Sequence, residues 1–484
     1  MSQPNPTDAP VTDVSGVSPI SRDARPRLPL WVRLADALAL AGGALWLRIV
    51  WVGPVREKVG SVLVTASSQL RVLALVALVV AVRHAVWRRP GLHERIWSRV
   101  RLWHGVPNLG AVITGALVSR VAVLLVGIVA LSAFGVPRGV KVITTNPVRN
   151  MVARWDAPWY LSIADRGYEW QPDGQQHNVA FFPAFPVGMV VVTAVLRWHL
   201  LHAGLLLSVV AFALAAAYLY RLARETLDDE QALAAVWLLA AYPFAVYYSA
   251  PYSEALYLLA AVGAIYHFGR DEWRYAAAWG AVAGLTRSNG CLLSVVLAIV
   301  ILTDFWRRSR EGRRRSPREL VSQLASASAP GMGMLAYSAY LQACFGDPLL
   351  WLKAHGAWGR TYTDMGEFVS GRAATLADIG PLTYLYSQPY DVLNFAAAAF
   401  GLAMIVPVWR RLGAAPTAFV VLSLVPPLVM GGTLSMGRLT STQFPIFIVL
   451  GAVRRPAWRM GLLVTFAMLQ GLVAVLFFTW RPMF

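Results

Sequence analysis

The chain has 484 residues, of which 57% are hydrophobic and only 14% are charged. A soluble globular protein has roughly 25% charged residues, so this composition indicates a membrane protein and argues against a soluble domain. The formal net charge of +18 does not indicate nucleic-acid binding, because the basic residues lie in short clusters between apolar segments, as in the arginine-rich stretch at 307–318.

The N-terminal residues 1–28 are rich in Pro, Ser, Asp and Thr and show no apolar periodicity. This composition predicts a disordered cytoplasmic tail. A cleavable signal peptide is not expected, because no charged segment leads directly into a short apolar core. We predict a membrane extension of two helices over residues 29–104, followed by the main membrane domain over residues 105–484.

Apolar segments near the ~20 residues needed to cross a bilayer recur along the whole chain. They predict an all-α polytopic membrane protein with about 13 transmembrane helices. The predicted spans are 34–53, 62–86, 110–135, 203–222, 232–249, 252–269, 274–288, 291–306, 324–344, 391–409, 416–434, 440–453 and 460–479.

The distribution of Lys and Arg predicts the orientation, because cytoplasmic loops are enriched in these residues. With the N-terminus inside, the predicted inner segments carry most of the basic residues, including the cluster at 307–318. Residues 181–199 are also apolar enough to cross, but a crossing there would move this cluster and the basic loop at 221–224 to the side opposite the N-terminus. We therefore predict that 181–199 form a helix at the outer surface or dipping partway into the membrane.

This orientation leaves two long outer loops, at residues 136–202 and 345–390. Loops longer than about 12–15 residues are usually functional or disordered. Both loops contain Trp, Tyr, Asp, His and Arg, a composition that argues against disorder.

The first outer loop contains the sequence RWDAPWY at 154–160, in which Asp156 is flanked by tryptophan and tyrosine. Burial raises the pKa of a carboxyl group, whereas a nearby arginine lowers it. Such a group can act as a general base toward a substrate hydroxyl. The structural alternative is that Asp156 caps the helix that follows, with Pro158 in its first turn, and that the aromatic residues form an interfacial belt.

Three further charged residues lie near the outer ends of predicted spans. Glu254 is close to the start of an apolar run, where a carboxylate is costly and often functional, unless it simply reaches the headgroups. Arg287 interrupts the apolar stretch 275–303, and its guanidinium suits a phosphate group; the alternative is an arginine that snorkels to the surface. Arg438 lies in a tight outer turn. It either supplies a second contact to phosphate or is an ordinary loop arginine.

The motifs that are absent also restrict the function. The sequence has no Asp-x-Asp triplet for a metal-bound nucleotide sugar, no Gly-rich phosphate loop, no nucleophile elbow and no paired-histidine zinc motif. The cysteines, Cys291 and Cys344, lie in apolar runs without metal-ligand spacing. A lipid-borne phosphate donor therefore fits the chain better than a soluble nucleotide donor.

Several motifs, in this order and spacing, resemble the PIG-V family, the second mannosyltransferase of glycosylphosphatidylinositol assembly, and its bacterial relatives. The resemblance covers residues from about 107 to 484 and leaves the extension at 30–90 outside it. The motifs are RWDA at 154–157 with Tyr160, IA at 163–164, GY at 167–168, AFFP at 180–183, SAPYSE at 249–254, TRSNG at 286–290, GDP at 346–348 and SMGR at 435–438.

The resemblance implies a GT-C glycosyltransferase with juxtamembrane helices and an active site on the extracytoplasmic side. It implies a polyprenyl-phosphate sugar donor and no metal or other cofactor. The catalytic acidic residue of the family corresponds to Asp156, and the contacts to the donor phosphate correspond to Arg287 and Arg438. Candidate substrate contacts in the same motifs are Arg154, Trp155, Tyr160, Tyr168, Phe182, Tyr252, Glu254 and Asn289.

We therefore predict a multi-pass enzyme of the cell membrane, with a cytoplasmic N-terminus, that transfers mannose with inversion from polyprenyl-phosphate mannose to a lipid, glycan or protein acceptor. Membrane lipids, donor and acceptor are the expected partners, and nucleic acid is not. Two alternatives stay open. A GT-C transferase of another polyprenyl-phosphate sugar shares this mechanism, and a multi-span transporter has a similar number of spans, although no internal repeat is evident.

Overall fold

The computed structural model of the chain describes residues 29–52, 55–59, 62–66, 69–86, 108–140, 142–312 and 315–482. The predicted tail at 1–28 and the end of the predicted extension, from 87, lie outside the described residues. The backbone divides into two compact units, Met1–His104 and Gly105–Phe484.

The described residues of the first unit form two helices and a pair of antiparallel strands. Helices α1 and α2 pack against each other, and a buried ion pair joins them, with Arg83 Nε donating to Asp36 Oδ1 at 2.9 Å. A charge buried in an apolar helix pair is tolerated when it has such a partner. The predicted span at 62–86 is wrong in its first residues, which form a strand. The elements are α1 (Leu30–Val52), β1 (Val55–Val59), β2 (Val62–Ala66) and α2 (Gln69–Val86), with β1 and β2 antiparallel and Val55 opposite Ala66.

In the described part of the second unit, all regular elements are helices. The all-α class predicted from the sequence is thereby confirmed, with the strand pair of the first unit as its exception. The helices are α3 (Leu109–Phe134), α4 (Pro147–Asn150), α5 (Ala157–Arg166), α6 (Ala184–Leu196), α7 (Leu200–Ala223), α8 (Asp229–Ala241), α9 (Glu254–Gly269), α10 (Trp273–Thr286), α11 (Leu293–Arg310), α12 (Pro317–Phe345), α13 (Leu350–Ala354), α14 (Met365–Ile379), α15 (Pro381–Ser387), α16 (Pro389–Ala403), α17 (Ile405–Leu412), α18 (Ala414–Val429), α19 (Met436–Ser441), α20 (Phe444–Gly451) and α21 (Pro456–Phe478), with 3₁₀ turns at Asn178–Ala180, Pro243–Ser249, Ser288–Leu292 and His355–Trp358.

The chain is a multi-pass membrane protein. Among the described residues, five helical segments are long and apolar enough to cross a membrane, and a bent pair over residues 229–249 makes a sixth. The predicted number of about 13 crossings is not confirmed, because several predicted spans are divided into shorter helices. The predicted span 440–453, for example, is shared between α19 and α20. The five segments are Leu109–Phe134, Leu200–Ala223, Ser288–Arg310, Pro389–Leu412 and Pro456–Phe478.

Helix α6 corresponds to the predicted surface helix at 181–199. It has 13 residues and is therefore about 20 Å long, which is short of the ~30 Å hydrocarbon core of a bilayer. One side packs against α7, and the other exposes Val187, Val191 and Val195. This length fits a helix that does not cross alone, and its position at the outer surface stays a prediction.

Two buried polar side chains stabilise the bend between α8 and the turn at Pro243–Ser249, where the axis changes by 78°. The proline that starts this turn has no N–H, so helical hydrogen bonds are interrupted there. Arg120 Nη2 donates to the Ala240 carbonyl at 2.6 Å, and Arg120 Nη1 donates to the Ala245 carbonyl. Gln470 Nε2 also donates to the Ala240 carbonyl, at 2.9 Å. A carbonyl without a partner at membrane depth costs several kcal/mol, so these bonds make the bend possible.

Helix α10 lies very close to α12, and this contact positions the residues that follow α10. A Cβ added at Gly284 would lie only 1.9 Å from the carbonyl oxygen of Pro330, and one added at Gly333 would lie 2.5 Å from that of Ala281. Only residues without a Cβ allow two helix backbones to approach this closely. The end of α10, and with it Arg287, is therefore held by backbone contact.

We expect Gly284→Ala to destabilise the protein by roughly 1–3 kcal/mol, because the new methyl group overlaps the α12 backbone and forces the helices apart. Gly110→Ala is the matched control, since nothing lies within 4 Å of a Cβ at that exposed helical position. Thermal unfolding of the two purified variants measures the difference. Equal melting temperatures would contradict the close packing of α10 and α12.

Candidate active site

A cavity of about 150 Å³ lies where the first predicted outer loop, the ends of α9 and α10 and the segment before α19 meet. Its walls combine charged and aromatic side chains. The structure brings together at this cavity five of the residues that the sequence predicted to act in the site, namely Asp156, Tyr160, Phe182, Arg287 and Arg438.

A chain of buried ion pairs links four of the predicted residues. Arg438 Nη1 donates to Asp156 Oδ2, and Arg438 Nε donates to Glu254 Oε1. Arg287 Nη1 donates to the same oxygen of Glu254. The exposed fractions of these side chains range from 0% for Glu254 to 15% for Arg287. Charges buried to this degree are stable only when they compensate one another, so the four residues form one electrostatic unit.

The structure shows which groups the Asp156 side chain contacts. It precedes α5, but its side chain makes no capping hydrogen bond to that helix. Its Oδ2 accepts from Arg438, and no described residue donates to Oδ1. An ionised carboxylate only accepts hydrogen bonds, so Oδ1 is available at the cavity to accept one from a substrate hydroxyl. The capping alternative is therefore not realised.

The backbone around Asp156 is held in an unusual conformation by Tyr252. Trp155 has a φ of 52°, in the left-handed region that non-glycine residues seldom adopt. The Tyr252 hydroxyl donates to the Arg154 carbonyl at 2.9 Å and accepts from the Asp156 N–H at 3.0 Å. Tyr252 is fully buried beneath this turn. This residue, predicted as a substrate contact, lies under the site and holds the backbone on both sides of Trp155.

Arg154 and Trp155, also predicted as substrate contacts, are directed toward the end of α21 and do not line the cavity. Arg154 Nε donates to the Phe478 carbonyl at 3.0 Å, and its guanidinium lies over the Trp480 ring at 5.0 Å. Trp155 stacks on the same ring at 5.5 Å. Burial lowers the pKa of Arg154 to about 10, so it stays charged at neutral pH. These contacts anchor the loop that carries Asp156.

The aromatic wall of the cavity comes from α5 and the segment after it. The Tyr160 hydroxyl donates to Ser253 Oγ at 2.8 Å, and burial raises the pKa of Tyr160 to about 12. Tyr168 lies further away, where its hydroxyl donates to the Phe181 carbonyl at 2.8 Å and its ring packs on Tyr337. Tyr168 therefore supports the wall and does not line it.

Asn289, the last of the predicted substrate contacts, lies in the turn Ser288–Leu292 after Arg287. It does not line the cavity. Its Nδ2 is buried and has no hydrogen-bond partner among the described residues. The structure thus places Asn289 beside the site without a contact that explains its role.

Four cavity residues lie outside the motifs and were missed by the sequence analysis: His355, Trp358, Arg360 and Leu434. The first three come from the second predicted outer loop, in which the sequence analysis singled out only the GDP motif at 346–348. The Trp358 ring lies 5.2 Å from that of Phe181, and burial lowers the pKa of His355. The available signal was an isolated arginine and histidine between aromatic residues in a loop predicted to be functional.

Comparison with solved structures finds similarity to an oligosaccharyltransferase from Archaeoglobus fulgidus, crystallised with a tethered acceptor peptide. The TM-score is 0.39 at 15% sequence identity, covering 75% of this chain and 55% of the archaeal chain. A second structure, of AglB from the same organism in complex with an inhibitory peptide and a dolichol-phosphate, gives a TM-score of 0.37 at 14% identity, with the same coverage. Similarity at this level does not establish a common fold.

Curated relatives share more sequence with the chain. It is 35% identical over 267 residues to GPI alpha-1,6-mannosyltransferase 2 of Mus musculus, covering 50% of each chain. It is 36% identical over 155 residues to the Homo sapiens protein of the same name, covering 30% of each. The chain thus spans at most about half the length of the curated relatives that it matches.

The family model described as Mannosyltransferase (PIG-V) matches residues 126–355. This region contains Asp156, Glu254 and Arg287 of the ion-pair chain, whereas Arg438 and Arg360 lie beyond it. The match confirms the family resemblance that the sequence motifs indicated: residues 126–355 are similar to the PIG-V mannosyltransferase family.

Proposed function

We propose that the chain is a membrane glycosyltransferase that moves mannose from polyprenyl-phosphate mannose to a hydroxyl group of a lipid, glycan or protein acceptor. The observation that carries this proposal is one cavity in which a carboxylate with a free oxygen, Asp156, lies beside guanidinium groups and aromatic rings. Sugar transfer from a lipid phosphate needs this combination of a proton acceptor, a phosphate site and an apolar wall. The family match supports mannose as the sugar.

The transfer proceeds by a single displacement. The acceptor hydroxyl gives its proton to Asp156 Oδ1 while its oxygen forms a bond to the anomeric carbon. The bond between that carbon and the phosphate oxygen breaks, and polyprenyl phosphate leaves with the electron pair, so the configuration is inverted. A positioned general base contributes roughly 10²–10⁴ in rate.

The ion-pair chain gives this reaction an electrostatic advantage. As Asp156 accepts the proton, it loses the negative charge that compensates Arg438. At the same moment the departing phosphate gains negative charge. Arg438 then stabilises the phosphate in place of the carboxylate, an interaction that strengthens in the transition state and therefore raises the rate. Arg287 adds a second positive charge near the same cavity.

The site is proposed to lie on the extracytoplasmic face of the cell membrane, with the N-terminus in the cytoplasm. The excess of Lys and Arg in the predicted inner segments supports this orientation. Neither a metal nor another cofactor is expected to take part, since the arginines supply the positive charge that a metal supplies to nucleotide-sugar donors, and the sequence lacks an Asp-x-Asp triplet. The GT-C type of fold belongs to the same proposal.

Asp156→Asn is expected to reduce transfer by roughly 10²–10⁴-fold, because the amide keeps the shape of the side chain but cannot take up the proton. The assay follows radiolabel from polyprenyl-phosphate mannose into a total lipid and glycan extract, with purified full-length protein.

Asp165→Asn is the matched control, since Asp165 lies on the exposed side of the same helix, α5, and is expected to retain full activity. Thermal unfolding shows that both variants are folded. Turnover by Asp156→Asn at the wild-type rate would refute the assignment of Asp156 as the base.

Arg287→Ala is expected to raise the KM for the lipid-phosphate donor by roughly 10-fold, because one charged hydrogen bond to phosphate is lost. The KM for the acceptor extract is expected to stay unchanged. Arg166→Ala serves as the control, since Arg166 is 64% exposed in a surface ion pair. An unaltered donor KM in Arg287→Ala would argue against a phosphate contact there.

A further inference from the structure

Arg360 is a cation of the cavity that belongs to no recognised motif and lies outside the matched family region. It follows a short 3₁₀ turn, and its backbone N–H donates to the His355 carbonyl at 3.1 Å. Its side chain lines the same cavity as Asp156, Arg287 and Arg438.

The guanidinium of Arg360 has a donor that no described residue satisfies. Nη1 is buried and forms no hydrogen bond with any described residue. Arg287 and Arg438, by contrast, both donate to Glu254. Burial, and then repulsion by these two arginines, lowers the pKa of Arg360 to about 10, which leaves it positively charged at neutral pH. A half-buried cation whose buried donor is unpaired is costly unless an anion binds to it.

The charged groups around the cavity carry one net positive charge, which one anion can balance. Three guanidinium groups, on Arg287, Arg360 and Arg438, face two carboxylates, on Asp156 and Glu254. The two carboxylates are already paired with Arg287 and Arg438, so the surplus positive charge is that of Arg360. A phosphodiester carries one negative charge, and a guanidinium fork matches the geometry of its oxygens.

The Arg360 side chain is held in place before any ligand arrives. A Cβ added at Gly431 would lie 3.2 Å from Arg360 Cδ and 3.3 Å from its Nη1, so the backbone of the facing loop lies directly against the side chain. The Thr363 N–H donates to the Val429 carbonyl at 2.8 Å and ties the two loops together. Less conformational freedom is lost when such a side chain binds its ligand, which favours affinity.

From these observations we infer that Arg360 binds the phosphate group of the lipid-linked donor and of the polyprenyl phosphate that leaves. This inference rests on the proposed function for the donor class. It assigns the uncompensated charge of the site to Arg360, whereas Arg287 and Arg438 hold the two carboxylates in place as well as facing the phosphate.

Binding of undecaprenyl phosphate to the full-length protein in phosphatidylcholine nanodiscs tests the inference. R360Q and R360M are expected to weaken binding roughly 10- to 100-fold, because a charged hydrogen bond in a buried site is lost. R360K is expected to recover part of the affinity through its charge. Neutral undecaprenol is expected to bind all variants equally. Wild-type affinity of folded R360Q and R360M for undecaprenyl phosphate would overturn the inference.

The matched control is R138M, an exposed arginine of the other predicted outer loop, which is expected to bind undecaprenyl phosphate as the wild type does. Thermal unfolding identifies any variant that is misfolded. If either R360Q or R360M is misfolded, the affinity of the other one tests the inference. Undiminished affinity of that variant counts against Arg360.

Competition experiments distinguish the chemical source of the phosphate group. Displacement of undecaprenyl phosphate by an equal concentration of inorganic phosphate would show a site for the free anion and overturn the lipid assignment. Displacement by phosphatidylglycerol in the nanodisc at similar concentration would show a site for bulk headgroups, with the same consequence. If wild-type protein binds undecaprenol as tightly as undecaprenyl phosphate, the proposed donor class itself fails, whatever the effect of the Arg360 variants.

Discussion

The ion-pair chain from Asp156 through Arg438 and Glu254 to Arg287 is the interaction on which the rest of the site depends. Arg438 lies 282 residues from Asp156 and 184 from Glu254. The ion-pair chain therefore joins segments of the polypeptide that only the complete fold brings together. Removing Arg438 leaves Asp156 without its ion partner, and removing Glu254 does the same to Arg287. The fold of the second unit and the charge arrangement of the site therefore support each other.

The residue types of the site were predictable, but their pairing was not. Asp156, Arg287 and Arg438 stand out in the sequence because charged residues are rare near apolar segments. Their spacing along the chain contains no information on which carboxylate meets which guanidinium, since that depends on how helices pack. Arg360 was missed for the same reason: its sequence neighbours are ordinary loop residues, and only the structure shows that its Nη1 has no partner among the described residues.

Motif residues also divide into those that contact the cavity and those that shape it. Arg154, Trp155 and Tyr252 belong to the motifs as clearly as Asp156 does, yet they hold the backbone of the Asp156 loop. A sequence pattern does not separate these roles, because both need particular side chains at particular positions. The first strand, Val55–Val59, was missed because it carries three charged residues and lies between two predicted spans. The second, Val62–Ala66, was missed because a short apolar, β-branched run fits a strand or a buried helix equally well. The helical class itself followed directly from the length of the other apolar segments.

The bend after α8 has a consequence for how the protein is made. Arg120, which donates to two carbonyls at the bend, precedes it in the chain, whereas Gln470 lies 230 residues after Ala240. A ribosome releases the bent segment long before it reaches α21. Until then Arg120 is the one side chain of this pair that can donate a hydrogen bond to the Ala240 carbonyl. The Phe478 carbonyl, which accepts from Arg154, has not yet been synthesised. The loop that carries Asp156 therefore acquires its final support late in biogenesis, so an incompletely synthesised chain in the membrane lacks a finished site.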